Sequence, residues 1–509
     1  MLRFDSLQTP PDDGGILLEP PPEHWRALLE QNSRLLSHSS GKLAGVAMGE
    51  VRQQVRSQLL GIGADTRIVA AGHQPEFVHP GVWAKHVAVR AFTGAAGASG
   101  VDLVVDNDSP RSATLRVAVS GDDGLLAVRE VPFTAAPAGS TYEGRTPLTT
   151  TRVEEIRQDL AVALGKNLDD MLMPAYLDGL AKWAGPGDAV DQHLAARLRI
   201  DRDLGADLAE HRVSKVVGGP FVADLLLNAD RFADAYNKSL AAYRKEQEIR
   251  SADRPLPDLG RVSGRIETAL WAYQPLQRRR RLWIEPKGDA IRCYAEESAI
   301  GDLSTADLTR DFAAAAESLR PWVIRPRALT LTLWARLLAC DLFVHGIGGA
   351  KYDRITDGIF RRYHACEPPG YVCVSATLRS PWPMVPGTID DLLAARRRVR
   401  DWRFNPQRYC PDLPSSILRE REQLIQRSGE LRRAQGPRAE RREVFNAIRA
   451  VNAGLVESQP DVARDLADRC DLLAREVESN RIAGGREYFY ALQPRQRLDE
   501  LADQIARLF

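Results

Sequence analysis

The feature that most constrains the fold is the stretch 66–110, TRIVAAGHQPEFVHPGVWAKHVAVRAFTGAAGASGVDLVVDNDSP. An apolar run at 68–71 ends in Gly72, and a second run at 101–105 ends in Asp106, Asn107 and Asp108. Between them lie a polar loop and a helical segment that puts Trp83, Val87 and Ala88 on one face. Pro80 stands where that helix begins, because a first turn needs no N–H from it. Strand, loop, helix, strand is the opening unit of a doubly wound α/β domain. Open sheets of this kind bind ligands outside the carboxyl ends of their strands, so both polar clusters are expected to face one crevice.

The residue types in those clusters suit anion chemistry. His73, Gln74, Glu76 and His79 crowd one loop, and Lys85 follows within two turns of the helix start. A helix N-terminus offers free N–H groups and partial positive charge, which suits a phosphate or carboxylate. His73, His79 and Lys85 are therefore candidates for neutralising charge that develops in a transition state. Gly72, Gln74 and Gly81 would shape the same loop. Asp106 and Asp108 suit an ammonium group, a ribose hydroxyl or a magnesium ion. Taken singly, each residue is also ordinary cap or turn sequence. Their position at the ends of neighbouring strands makes them a candidate site.

A second stretch, 323–377, repeats the plan. Leu329, Leu331, Leu333, Leu337 and Leu338 predict a buried helix, 341–345 a short central strand, and 371–376 another. Between the two strands run His345, Gly346, Gly348, Gly349, Lys351, Tyr352 and Asp353. The glycines match neither the dinucleotide nor the P-loop fingerprint. They predict a loop where backbone approaches a ligand, or a tight strand-to-helix turn.

At 509 residues the chain exceeds one ordinary core. Lys and Arg (69) nearly balance Asp and Glu (68), so no global field steers it to nucleic acid or an anionic membrane. The first residues lack a signal-peptide h-region, and the longest apolar stretch, 328–344, is interrupted by Arg336 and Asp341. Six scattered cysteines form no CxxC pair, neither a disulfide framework nor a zinc ribbon. The expectation is a reduced, cytoplasmic protein without a resident metal.

The rest of the chain sorts by pattern. Residues 1–65 read as a loose lead-in (1–22) and two helices, and 66–410 as the α/β core. Residues 113–132 predict a hairpin, 150–260 a helical insertion or crossover, and 282–294 a hairpin. Arg278 to Arg281 form a solvated charge run. Residues 411–482 carry leucine-type spacing at Ile417, Leu424 and Leu431, with breaks at 436–437 and 459–460. That pattern predicts an antiparallel coiled-coil appendage suited to dimerisation. Residues 483–509 regain aromatic content and are expected to return to the core.

Three segments together resemble the cysteine-adding enzymes of bacillithiol synthesis, a family of putative cysteine ligases. They are Gly72-His73-Gln74 with Pro80, Gly81 and Lys85; Arg325-Pro326 leading through Gly349 to Tyr352; and the late coiled coil followed by Pro494-Arg495-Gln496. The segment His73–Lys85 alone also resembles WbqC-like proteins. The resemblance implies a Rossmann-like, nucleotidyltransferase-like core dimerised through the coiled coil. It also implies a reaction joining cysteine to an amino-sugar conjugate, and the preferred reading is a ligase using ATP or another nucleotide, with or without Mg²⁺, on a small amine or thiol substrate. His79, Pro80 and Gly81 would stand where the wider superfamily has a phosphate loop. Asp106-Asn107-Asp108 departs from the family pattern, which has a histidine there, and the acid after the glycines is absent. A binding or scaffold protein of the same fold, and a metal hydrolase using His73, His79, Asp106 and Asp108, are the alternatives.

Overall fold

Six strands form the central sheet of the computed structural model, which describes residues 7–63, 66–110, 114–134, 137, 139–251, 254–410 and 413–509. Their order is Ile16–Glu19, Tyr371–Ala376, Leu342–His345, Ile68–His73, Ser99–Val104, Ala209–Arg212. Ile16–Glu19 runs antiparallel along its neighbour, and all the others are parallel. Parallel strands are covered on both faces, which is why the sequence shows continuous apolar runs there. Ile68 to Ala71, Leu342 to Val344 and Val372 to Val374 are all buried. The chain is a mixed α/β protein.

The order of the strands sets up a crevice. From Ile68–His73 the chain adds strands in one direction, through Ser99–Val104 to Ala209–Arg212. It later returns to lay Leu342–His345 on the opposite side of Ile68–His73, and Tyr371–Ala376 beyond that. Winding therefore reverses between the strands ending in His73 and His345. Loops that leave a sheet at such a point diverge and open a crevice beyond the strand ends.

Several expectations are corrected. The segment 150–260 is not purely helical. After helices Thr150–Leu164, Met173–Lys182 and Ala189–Asp203 it supplies the edge strand Ala209–Arg212. That strand reads AEHR and has no apolar run. Its Glu210 and Arg212 instead pair with Arg197 and Asp106. The lead-in is not loose throughout, because Ile16–Glu19 is paired to Tyr371–Ala376; residues 1–6 of it lie outside the described residues. The hairpin expected from position 113 begins at Thr114 among the described residues, Ala113 lying outside them. Residues 282–294 do not stand alone. They belong to an antiparallel sheet ordered Ser298–Ser304, Ala290–Ala295, Arg280–Lys287, Arg265–Tyr273, Val323–Pro326.

The two charges that interrupt the apolar stretch 328–344 are buried and paired. Arg336 reaches Asp353 (2.6 Å) and Asp357 (2.7 Å), and Asp341 receives Arg52 (2.6 Å) and Arg56 (3.0 Å). Buried charges are tolerated only when matched this way. Among the described residues, no helix is long and apolar enough to cross a membrane.

The chain divides into two compact units, the smaller made of Ala118–Val128 and Ser380–Gly485. That unit starts before position 411 and includes helix Ile389–Phe404. Its helices Ser415–Arg433, Arg438–Glu457 and Pro460–Ala483 are separated at the two expected breaks. Trp402, Leu413 and Leu455 form one of its cores, and Leu392, Ala395 and Leu473 another. The tail Arg486–Phe509 belongs to the larger unit, where Tyr490 stacks on Trp83 at 5.5 Å.

Candidate functional site

The expected polar residues do gather at the carboxyl edge of the central sheet. His73 closes its strand, His345 closes the neighbouring one, and Asp106 follows Val104 on the other side. Gln74 and Asp108 join the two clusters directly, Gln74 Nε2 donating to Asp108 Oδ2 at 2.8 Å. Gly72 lets the strands approach, since a Cβ there would lie 3.1 Å from the Leu103 carbonyl oxygen.

The first loop, however, is closed as an anion site. In helix Pro80–Ala96 the Gly81 N–H donates to His79 Nδ1 (3.0 Å), and the N–H groups of Val82 and Trp83 both donate to the His79 carbonyl. Pro80 has no N–H. A Cβ on Gly81 would lie 2.5 Å from the Ala376 carbonyl oxygen, so the helix start is pressed against the end of strand Tyr371–Ala376. Lys85 is buried, and its Nζ donates to the Gly72 carbonyl at 2.8 Å. Burial pushes its ammonium down to about 8. His73 is pushed down to about 3 by burial and then by Lys85, and His79 to about 4 by burial and then by Arg486. These groups are neutral or committed, and they serve as a brace rather than a cationic phosphate loop.

Asp106 is corrected in the same sense. It is fully buried, accepting from Arg212 Nε (2.7 Å) and from both the N–H (2.9 Å) and hydroxyl of Ser214. Three donors and full burial leave it committed to the fold rather than open to an ammonium, a ribose or magnesium. Asp108 is partly open, yet Gln74, Arg279 and the Ser109 N–H hold it. Neither acid fits a magnesium ion. Among the described residues no group of three or more His, Cys, Asp or Glu side chains is arranged to hold a metal.

The open end is the second strand-to-helix junction. Gly346, Gly348 and Gly349 do not form a loop. They are the N-cap and first turn of helix Ile347–Tyr363, and none has positive φ. Among the described residues no side chain caps this helix. The N–H groups of Ile347, Gly348 and Gly349 have no acceptor among the described residues. A Cβ on Gly346 or Gly348 would meet open space. Open space over Gly346 and Gly348, with three N–H donors lacking acceptors among the described residues, makes the anion-binding arrangement that the first loop lacks.

His345 is fixed beside this turn. Its Nε2 bonds Asp353 Oδ2 at 2.9 Å, and its ring lies against Phe343 and Tyr371. Arg336 holds Asp353 well below the usual carboxylate range, with His345 adding to the effect. Asp353 is thus a positioning partner, not a ligand contact. His345 Nδ1 faces Gly349, where a Cβ would come within 2.8 Å. Lys351 and Tyr352 lie on the exposed side of the helix.

Pro75, Glu76 and Phe77 of the first loop also line a cavity of about 280 Å³ with Arg145 and His193. Neither of those two residues carried a sequence signal. Arg145 sits in irregular chain, and His193 reads as one more residue of an amphipathic helix. Compared with known proteins, the chain matches no protein-family model and no curated protein.

Proposed function

We propose that the crevice at the reversal of winding binds the phosphate groups of a nucleotide, ATP first among them. The core is then Rossmann-like and nucleotidyltransferase-like, and the chemistry that of a ligase resembling the enzymes that join cysteine to an amino-sugar conjugate. The observation that carries this reading is the uncapped start of helix Ile347–Tyr363, with free N–H groups at Ile347, Gly348 and Gly349. Its place at the reversal of winding is the second support. A bound nucleotide would supply an activated phosphoryl group. His345, oriented by Asp353, would hold or move a proton at Nδ1 beside it.

The second reading is a nucleotide- or metabolite-binding or scaffold protein of the same fold, and the commitment of Lys85 and Asp106 to internal partners favours it. In either case the protein would be cytoplasmic. Exposed Ile425 and Phe445 on the late helices support a homodimer through a coiled coil.

The test is thermal unfolding with ATP, ADP and inorganic phosphate, followed by an assay with ATP, cysteine and amino-sugar acceptors. A nucleotide at one hundred times its Kd stabilises by about 2.7 kcal/mol. Gly348→Asp, which sets a carboxylate over the same N–H groups, should abolish that shift. No response to any nucleotide or to phosphate would end the anion reading. Binding without turnover would decide for the second reading.

A further inference from the structure

The cavity beside the first loop is a different kind of site. Its wall is mostly apolar and aromatic, with Phe77, Phe133, Tyr176 and Phe489 among its lining residues. Against that wall stand three polar groups without full partners. Arg145 is 7% exposed and forms no ion pair with an acid among the described residues. Its Nε donates to the Thr141 carbonyl and its Nη2 to the Ser140 carbonyl and hydroxyl, the guanidinium lies over the Tyr142 ring at 5.6 Å, and Nη1 has no acceptor among the described residues. His193, 9% exposed, bonds the Tyr176 hydroxyl through Nδ1 (2.6 Å) while its Nε2 is buried without a partner among the described residues. Thr134 Oγ1 is likewise buried and unpartnered among the described residues.

Such groups are costly if nothing answers them. Buried guanidinium groups are almost always paired with an acid, because desolvating an uncompensated charge is expensive. An unsatisfied buried donor or acceptor costs a further penalty of its own. Here two such atoms, His193 Nε2 and Thr134 Oγ1, share one wall with Arg145. Gln192, the other internal polar residue of the wall, is fully used by the Leu148 and Leu180 backbone. Glu76 gives Oε1 to the Tyr142 hydroxyl (2.5 Å). Glu487 and Arg116 are exposed at the rim. The polar groups left open in the wall are therefore the Arg145 cation, the neutral His193 Nε2 and Thr134 Oγ1, and the second oxygen of Glu76.

We propose that this cavity binds a small carboxylate with an aromatic or apolar body, its carboxylate on Arg145 and its orientation set by His193 and Thr134. A single negative charge suits Arg145, because the Glu76 carboxylate already adds one negative charge to the same wall. A phosphate dianion would bury a second charge that nothing in the wall answers. The volume, about 280 Å³, sits at the lower end of small-molecule pockets, which suits a one-ring acid. The site is separate from the nucleotide crevice, and its test does not bear on that reading.

The experiment is calorimetric titration of the full chain with 3-phenylpropionate and with its neutral isostere, 3-phenylpropanamide. The acid should bind about tenfold to a hundredfold more tightly than the amide, the usual worth of a charge-assisted hydrogen bond in a dry site. Arg145→Met should erase that preference and leave amide binding in place. Because Arg145 also braces the 140–141 backbone, a second variant is needed. Leu148→Trp, which fills the cavity from a partly exposed position, should abolish binding of both compounds while the protein keeps its melting temperature. Equal affinities for acid and amide, no binding of either at millimolar concentration, or acid binding unchanged in Leu148→Trp would each overturn the proposal.

Discussion

Gly348 and Gly349 adjoin each other in one helical turn, yet a methyl group should have opposite effects on them. At Gly348 a Cβ meets open space, so Gly348→Ala should stabilise by about 0.5–1 kcal/mol through helix propensity alone. At Gly349 it would come within 2.8 Å of His345 Nδ1. The imidazole cannot retreat, because Asp353 pins Nε2 and the Phe343 and Tyr371 rings flank it. Gly349→Ala should therefore destabilise by about 1–3 kcal/mol, as overpacking does. Urea denaturation of the two variants measures both. Equal and small effects would show that His345 is not held as rigidly as its partners suggest. The same contrast explains which site residues could be read from sequence. Positions ending strands were legible, since strand ends follow from apolar runs. Whether a side chain there is free or spent was not. Asp106 and Lys85 look like ligand residues in sequence, and their partners Arg212 and Gly72 are brought to them only by folding.

Elements fall into the same two groups. Helix Pro80–Ala96 and strands Ile68–His73 and Ser99–Val104 were legible because burial on both faces leaves long apolar runs. Strand Ala209–Arg212 was not, because an edge strand held partly by ion pairs needs no apolar pattern. The late helices are intermediate. Their breaks were visible, but Arg421 is buried against Asn452 (2.7 Å) where leucine spacing alone would expect a hydrophobic seam. Ile425 and Phe445 are left 44% and 53% exposed on the helices Ser415–Arg433 and Arg438–Glu457. If they form the dimer seam, the double variant Ile425→Glu, Phe445→Glu should halve the mass measured by light scattering without lowering the melting temperature. A wild-type protein that is already monomeric would remove the seam.

The whole molecule should respond to acid through its histidines. His73 and His193 are pushed down to about 3, and His79 and His364 to about 4, chiefly by burial. In the unfolded chain each would titrate near 6.5. Between that value and about 4 the unfolded state binds protons that the folded state refuses, so stability falls as pH drops through this window. Above 6.5 both states are neutral and the effect vanishes. Each such histidine steepens the fall by up to about 1.4 kcal/mol per pH unit. Urea denaturation from pH 7 to 4.5 should show the slope, and His193→Gln should reduce it by one histidine's share; an unchanged slope would mean that His193 is protonated in the fold. By itself the sequence determined the α/β class, the first strand–loop–helix–strand unit, the clustering of polar residues at strand ends and the breaks between the late helices. These are local consequences of hydrophobic period and of glycine and proline chemistry. Only the tertiary structure decided that the first helix start is closed and the second open. It alone set Arg145 and His193 against one cavity, because hydrogen-bond satisfaction depends on partners far away in the chain, which no local pattern encodes.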